Sequence, residues 1–254
     1  MKIATWNVNS LRVRLPHLLD WLATEQPHVV GLQELKCTEE QFPYAELAAA
    51  GYQATVNGQK TYNGVALLAR EMPQQVTRDL PGFEDEQKRI ICGTVGGVRI
   101  VNAYVVNGQS VGSEKYAYKL RFLEAFRHML AAEHAAHPQL VVMGDFNIAP
   151  TPDDTHDPAQ WEGKILCSEP ERDALKAICD LGLTDSFDLA SEPEGRFTWW
   201  DYRQAGFRRD LGLRIDHLLV SPEAAQRLSG WRVDRAPRRL ERPSDHAPVI
   251  ITLE

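Results

Sequence analysis

Six apolar runs in this sequence turn polar at one end. ATWNVN closes on Asn7 and Asn9, VVGLQE on Gln33 and Glu34, and LVVMGDFN on Asp145 and Asn147. IVNAYVVNG carries Tyr104 and Asn107, GLRIDHLLV holds Asp216 inside an apolar stretch, and SDHAPVIITL opens with Asp245 and His246. A carboxylate at the lip of a core needs a partner, because burying it unpaired costs several kcal/mol. Four such carboxylates, Glu34, Asp145, Asp216 and Asp245, predict convergence on one edge of the sheets. Converging carboxylates repel one another unless a cation stands among them. Oxygen ligands of this kind suit a hard ion such as Mg²⁺ or Mn²⁺.

Each residue also has an ordinary role. Asn7 and Asn9 are turn formers, Glu34 suits an exposed strand end, Asp145 can close an Asx turn, and Asp245–His246 can be a loop pair. Asp216 can form a buried ion pair with Arg214 or His217, and side-chain alternation favours Arg214. His217 should point to the opposite sheet face from Asp216 and serve structure. The functional reading gains its weight jointly, since all the ordinary roles would otherwise have to hold at once.

The elements that must carry these residues follow from periodicity. Apolar runs predict strands at Lys2–Trp6, Val29–Leu32, Gly64–Leu68, Ile90–Thr94, Val98–Tyr104, Leu140–Met143, Leu213–Val220 and Val249–Leu253. Several are apolar throughout, as strands covered on both faces are. Leu15, Leu18, Leu19 and Leu22 recur at helical spacing, and Leu120, Leu123, Phe126, Leu130 and His134 form a stripe on a helix from about Tyr116 to Ala136. Ser168 caps a helix toward Gly182, and Ser221 with Pro222 starts another ending near Gly230. Gly96-Gly97 links two strands as a hairpin. Many connections are too short for helical crossovers, so mixed, mostly antiparallel central sheets with helices outside are expected.

Composition sets outer bounds. The 254 residues are 43% hydrophobic and 25% charged, ordinary for a globule, and no stretch is apolar enough to span a membrane. Asn7 and Asn9 fall where a signal peptide needs an apolar core, so no secretion signal and a cytoplasmic location are expected. The cysteines, Cys37, Cys92, Cys167 and Cys179, lack Cys-x-x-Cys spacing, which argues against structural zinc or a disulfide framework. A net charge of −7 disfavours bulk coating of nucleic acid, although metal-neutralised carboxylates and a local basic rim remain compatible with holding phosphates.

TWNVNSLR, GLQELK, QKTYNGVALL, KRIICG, NAYVVNG, GDFNIAP, FTWWDYR, GLRIDHLL and PSDHAP occur in that order along the whole chain. This ordered set closely resembles the exonuclease III branch, including class II AP endonucleases, of the endonuclease/exonuclease/phosphatase superfamily. The resemblance implies one catalytic domain over residues 1–254, a DNase I-like four-layer α/β sandwich with two central sheets flanked by helices. It implies Mg²⁺, with Mn²⁺ able to substitute, and a monomer acting on double-stranded DNA with abasic sites or 3′ ends, not on membranes. It assigns the metal to Glu34 with Asn7 and Asp245, and places Asp145 and Asn147 beside it. Asp145 would activate water or protonate the leaving oxygen, Asn147 would orient it, and Tyr104 would bind a phosphate oxygen. His246, oriented by Asp216, would stabilise transition-state charge. A His–Asp pair favours an imidazolium that donates to an anion, and no G-x-S-x-G elbow supplies a side-chain nucleophile, so water is expected to attack.

DNA contacts are expected from Lys60, Asn63, Arg89, Lys115 and Lys119, and from Arg203 in the aromatic segment. The resemblance also implies that Trp199 and Leu213 line a pocket for a flipped-out abasic sugar. The stretch Pro150–Glu171 begins acidic, which fits phosphate binding poorly. Two other readings are an inositol-phosphate or lipid phosphatase and a catalytically silent nucleic-acid-binding regulator on the same fold. Completeness of the polar set argues against the second.

Overall fold

A computed structural model describes residues 1–254. The strands are β1 (Lys2–Asn7), β2 (Val29–Gln33), β3 (Gln53–Asn57), β4 (Val65–Ala69), β5 (Gln74–Arg78), β6 (Ile90–Val95), β7 (Val98–Tyr104), β8 (Leu140–Asp145), β9 (Thr184–Asp185), β10 (Trp199–Trp200), β11 (Gly212–Leu213), β12 (Asp216–Val220), β13 (Leu228–Val233) and β14 (Val249–Leu253). The helices are α1 (Leu11–Glu25), α2 (Tyr44–Ala49), α3 (Glu114–Ala136), α4 (Pro158–Trp161), α5 (Glu169–Cys179), α6 (Ser186–Leu189) and α7 (Pro222–Ala225). One six-stranded sheet runs β13-β14-β1-β2-β4-β3, the other β5-β6-β7-β8-β12-β9, and β10-β11 form a small ribbon.

Each large sheet contains one parallel pair, β1 with β2 and β7 with β8, whose crossovers carry α1 and α3. All other pairings are antiparallel. This arrangement decides where the site lies. The carboxyl ends of a parallel pair open on one edge, and antiparallel neighbours begin at that same edge. Asn7 and Gln33 therefore end paired strands, Tyr104 pairs with Asp145, and Asp145 pairs with Asp216 at the start of β12.

Residues alternate between two packing surfaces along each strand. Ile3, Val29, Leu67, Ile100, Val141, Met143, Leu218 and Val249 fill the space between the sheets. Ala4, Trp6, Val30 and Leu32 face outward under Leu18 and Leu22 of α1. Val101, Val142 and Leu219 face outward under Phe122, Phe126 and Leu130 of α3. The result is the expected four layers, with about 1.5–3 kcal/mol from each fully buried aliphatic or Phe side chain. Asn102 stitches the layers together: its Nδ2 donates to the carbonyls of Leu32 and Ala66 across the gap, and its Oδ1 accepts from Gln33 Nε2 at 2.7 Å. The sheets approach so closely here that a Cβ on Gly31 would sit 2.6 Å from Met143 Cε.

Gly96 and Gly97, at φ 55° and 79°, turn the β6–β7 hairpin as expected. All four cysteines are free. The helix expected from Ser221 toward Gly230 is corrected: α7 ends at Ala225, and β13 follows as an edge strand whose Trp231 and Val233 reach the inter-sheet core. Edge strand β5 went unpredicted because QQVTR is polar, as edges tend to be.

Candidate active site

Four short links bring the polar strand ends together. Asn7 Nδ2 donates to Glu34 Oε1 and to Asp145 Oδ2, each at 2.9 Å, so one amide bridges two carboxylates from different sheets. Its Oδ1 is taken by the backbone N–H of Asn9. His246 Nδ1 sits 2.9 Å from Asp216 Oδ2, and its Nε2 lies 3.6 Å from Asp145 Oδ2. Ligand atoms of Glu34, Asp145 and His246 all lie within 4.8 Å of one another.

Local backbone geometry aims these groups. Glu34 and Asn147 adopt φ 53° and 51°, left-handed conformations that turn the chain sharply where strands end. Gly144, at φ 148°, precedes Asp145, and a Cβ there would meet the Ala103 carbonyl at 1.9 Å. Asp145 Oδ1 accepts the Asn147 N–H at 2.9 Å, while Asn147 Oδ1 accepts from Asn107 Nδ2 and its Nδ2 donates to Val105 O. Ser244 Oγ donates to the Asn7 carbonyl at 2.6 Å, tying the approach to β14 onto the end of β1.

Burial and charge set the protonation. Burial pushes the Asp145 carboxyl up to about 7; His246 and the Asn7 hydrogen bond pull it down, while Asp216 and Glu34 push it further up. Burial alone would depress His246, but Asp216 and Asp145 together carry it to about 10, so the ring is an imidazolium at neutral pH. The Tyr104 hydroxyl is held well above its ordinary range by burial and by the Glu34 and Asp145 charges, and stays a neutral donor.

Four further residues hold this site: Asn9, read from the sequence as a polar strand end or turn former, and Lys36, Thr198 and Ser244, which the sequence reading passed over. Asn9 Nδ2 donates to Asp245 Oδ1 at 2.9 Å, and Lys36 Nζ donates to Asn9 Oδ1 at 2.7 Å while pairing with Glu34 at 3.2 Å. Thr198 Oγ1 donates to Asp216 Oδ2 at 2.6 Å, and Ser244 acts as above. Asn9, Lys36, Thr198 and Ser244 all lie within the quoted motifs, which was the available signal. Asp245 is half-buried and does not join the Glu34, Asp145 and His246 cluster; its second oxygen accepts from Trp199 Nε1 at 2.9 Å.

One ordinary role weighed for Asp216 falls away. Arg214 does not pair with Asp216. It is buried and pairs with Asp154 at 2.7 Å and with Asp185, because the chain leaves regular strand geometry between β11 and β12. The buried Asp154 thus explains part of the acidic start of the 150–171 stretch as a structural anchor. His217 faces away from Asp216 as expected, contacting Ile148 O and Asp185.

Two clefts flank the cluster. One, of about 950 Å³, is lined by Tyr104, Asn107, Asn63, Arg89 and Lys115. Arg89 stacks over the Tyr104 ring at 4.7 Å and donates to the Tyr104 carbonyl and to Gln87. Lys60 stands exposed on the neighbouring loop. The other cleft, of about 470 Å³, is bordered by Trp199, Trp161, His156, Arg203 and Arg209. Arg203 is 85% exposed at its side chain and pairs with Asp201. Two expected contacts are corrected. Lys119 is fully buried, ion-paired with Glu171, so it presents no charge to a phosphate. Leu213 is also fully buried, beneath Trp199 with Leu166 and Ile215, so it backs the wall and does not line it.

The residues present fit a hard divalent cation. Two carboxylates from opposite sheets converge on a side-chain amide, and Lys36 reaches only the outer side of Glu34. Such a donor set suits a cation that neutralises Glu34 and Asp145 together.

Comparison with known proteins gives a consistent result. The sequence profile of the Endonuclease/Exonuclease/phosphatase family matches residues 4–246. The chain is 38% identical to exodeoxyribonuclease III of Haemophilus influenzae, over 98% of each chain. It is similar in structure to a 3′ phosphatase from Neisseria bound to product DNA hairpin, with TM-score 0.98 and 48% identity over 100% of this chain and 99% of that one. It is also similar to an AP endonuclease from Archaeoglobus fulgidus, with TM-score 0.95 and 36% identity over 100% and 99% of the two chains.

Proposed function

The chain belongs to the exonuclease III branch of the endonuclease/exonuclease/phosphatase family, and from that premise we propose that it is a Mg²⁺-dependent DNA-repair hydrolase acting on double-stranded DNA at abasic sites and 3′ ends. Its repertoire is incision beside an abasic site, 3′-5′ exonuclease action and removal of a 3′-phosphate. We read residues 1–254 as one catalytic domain working as a cytoplasmic monomer, with Mn²⁺ able to replace Mg²⁺. No helix is long and apolar enough to cross a membrane.

The observation that carries this reading is the convergence of Glu34, Asp145 and His246 where the two sheets share one edge. Phosphoryl hydrolysis needs a positioned nucleophile, neutralised charge, a proton acceptor and a donor. Asp145, whose carboxyl burial raises toward neutral pH, takes the proton from the attacking water or returns one to the leaving oxygen. His246, charged and held by Asp216, donates from Nε2 to a phosphoryl oxygen. Tyr104 donates its hydroxyl to a second oxygen. Asn147 orients Asp145 through its backbone N–H. Glu34 would hold the cation, with Asn7 and Asp245 supporting it, and the cation supplies charge neutralisation and polarisation of the phosphoryl oxygen. Asn63, Lys60, Arg89, Lys115, Trp199 and Arg203 carry the DNA strand along the two clefts.

The test is a parallel assay on duplexes bearing an abasic site, a recessed 3′ end or a 3′-phosphate, each with Mg²⁺, Mn²⁺ or EDTA. Metal-dependent product from at least one substrate is expected. No product from any of them would reject the reading.

A further inference from the structure

Lys119 lies on α3, on the helix side of the second sheet, yet its side chain is 0% exposed. Its ammonium has three donors and uses all of them: it pairs with Glu171, donates to the Asn147 carbonyl at 2.7 Å and donates to the Asn107 carbonyl at 3.2 Å. Glu171 is equally buried and equally occupied. Its Oε1 also accepts the Leu166 N–H, and its Oε2 accepts both the N–H and the hydroxyl of Ser168. Ser168 Oγ in turn meets the Tyr116 hydroxyl at 2.7 Å, closing the network back onto α3.

A buried ion pair is a weak source of stability, because apolar residues of similar size often serve as well. What this pair does that an apolar pair does not is hold two carbonyls. Those carbonyls belong to Asn107 and Asn147, whose side chains hydrogen-bond each other, and the Asn147 N–H fixes Asp145. Asn147 sits at φ 51°, a left-handed conformation that asparagine tolerates better than most residues, and the Lys119 contact holds its carbonyl there.

We propose that Lys119, braced by Glu171, is a positioning residue for hydrolysis: it locks the Asn107 and Asn147 backbone so that the Asp145 carboxylate faces the reacting phosphate. The role rests on the assignment of Asp145 to catalysis. It also connects the 150–171 stretch, through Leu166 and Ser168, to the hydrolytic centre.

The experiment compares Lys119→Met, Lys119→Met/Glu171→Met and Asp145→Asn with the parent protein, measuring kcat and KM in Mg²⁺ on whichever of the three DNA substrates turns over fastest, together with the urea unfolding midpoint. Lys119→Met strands the Glu171 charge and is expected to lower the midpoint. The double variant is expected to recover the midpoint while kcat stays about 100-fold down and KM moves less than about threefold, as misplacement of a reacting group does. A double variant that recovers kcat along with stability, or a Lys119→Met protein with parental kcat, overturns the proposal. If Lys119→Met alone does not fold, the double variant decides: folded and slow supports the role, folded and fast overturns it. A double variant that does not fold also overturns it, because the pair would then be needed for the fold itself. If Asp145→Asn turns over normally, the hydrolytic assignment fails. If Asp145→Asn is inactive while the double variant is fast, only the positioning role fails.

Discussion

The His246 ring stands between two buried carboxylates, 2.9 Å from Asp216 Oδ2 through Nδ1 and 3.6 Å from Asp145 Oδ2 through Nε2. Asp216 is further anchored by Thr198, whose hydroxyl donates to Oδ2 at 2.6 Å. The pairing fixes the ring and leaves Nε2 directed at the centre of the cluster.

Replacing Asp216 by Asn removes the largest favourable charge acting on the ring. The imidazole should titrate at lower pH in the variant, read by NMR of the ring protons. Turnover should fall about 10²–10⁴-fold, the range for a lost acid–base group. An unchanged ring titration would show that Asp216 does not set the charge.

Stability should decline as pH rises. The folded protein keeps the His246 proton up to about 10, whereas an ordinary imidazole releases it near 6.5. That proton therefore stabilises the fold fully below 6.5, and the gain is lost as pH climbs toward 10. Asp145 acts with the same sign between 3.8 and about 7. Urea midpoints measured in EDTA should fall from pH 6 to pH 10, and Asp216→Asn should flatten the upper part of that slope.

Mg²⁺ should raise the melting temperature of the parent protein, since a ligand that binds only the folded state stabilises it by about 2.7 kcal/mol at 100 times its Kd. Glu34→Gln should lose most of that increase, because Glu34 is one of the two carboxylates that converge on the Asn7 amide and the one that does not face His246. Equal Mg²⁺ shifts in the two proteins would remove Glu34 from the metal site.

Trp199 links the smaller cleft to Asp245 through its indole N–H. Trp199→Ala should weaken abasic-site incision about tenfold or more in kcat/KM, the scale of one lost aromatic stacking partner. Trp199→Phe, which keeps a ring but not the N–H, should lower all three activities by similar factors. Competition between the three duplexes in one tube would show whether the ring or the N–H dominates.

The centre of the site was legible because its residues interrupt apolar strands. Asn7, Glu34, Asp145, Asp216 and His246 each sit where a hydrophobic side chain would be cheaper, and the parallel pairs bring those ends to one edge. Lys119 was not legible as a buried residue. A lysine on a helix ordinarily reads as solvated, and its partner Glu171 lies 52 positions away in a helix-capping motif. The Arg214 pairing weighed as an ordinary role for Asp216 fails for a related reason. Alternation predicts faces only within a continuous strand, and residues 214 and 215 lie between β11 and β12. Leu213 lies in a motif that placed it near the pocket, but its depth depended on Trp199 lying over it.

The most direct measurement is single-turnover hydrolysis by Asp145→Asn and His246→Asn under saturating enzyme and Mg²⁺, on the substrate the parent cleaves fastest, with DNA affinity measured in Ca²⁺ or EDTA. The account predicts rates reduced by about 10³-fold or more, with affinity within about tenfold of the parent, because these groups act on transition-state charge more than on binding. Cleavage within a few-fold of the parent rate in either variant would contradict it.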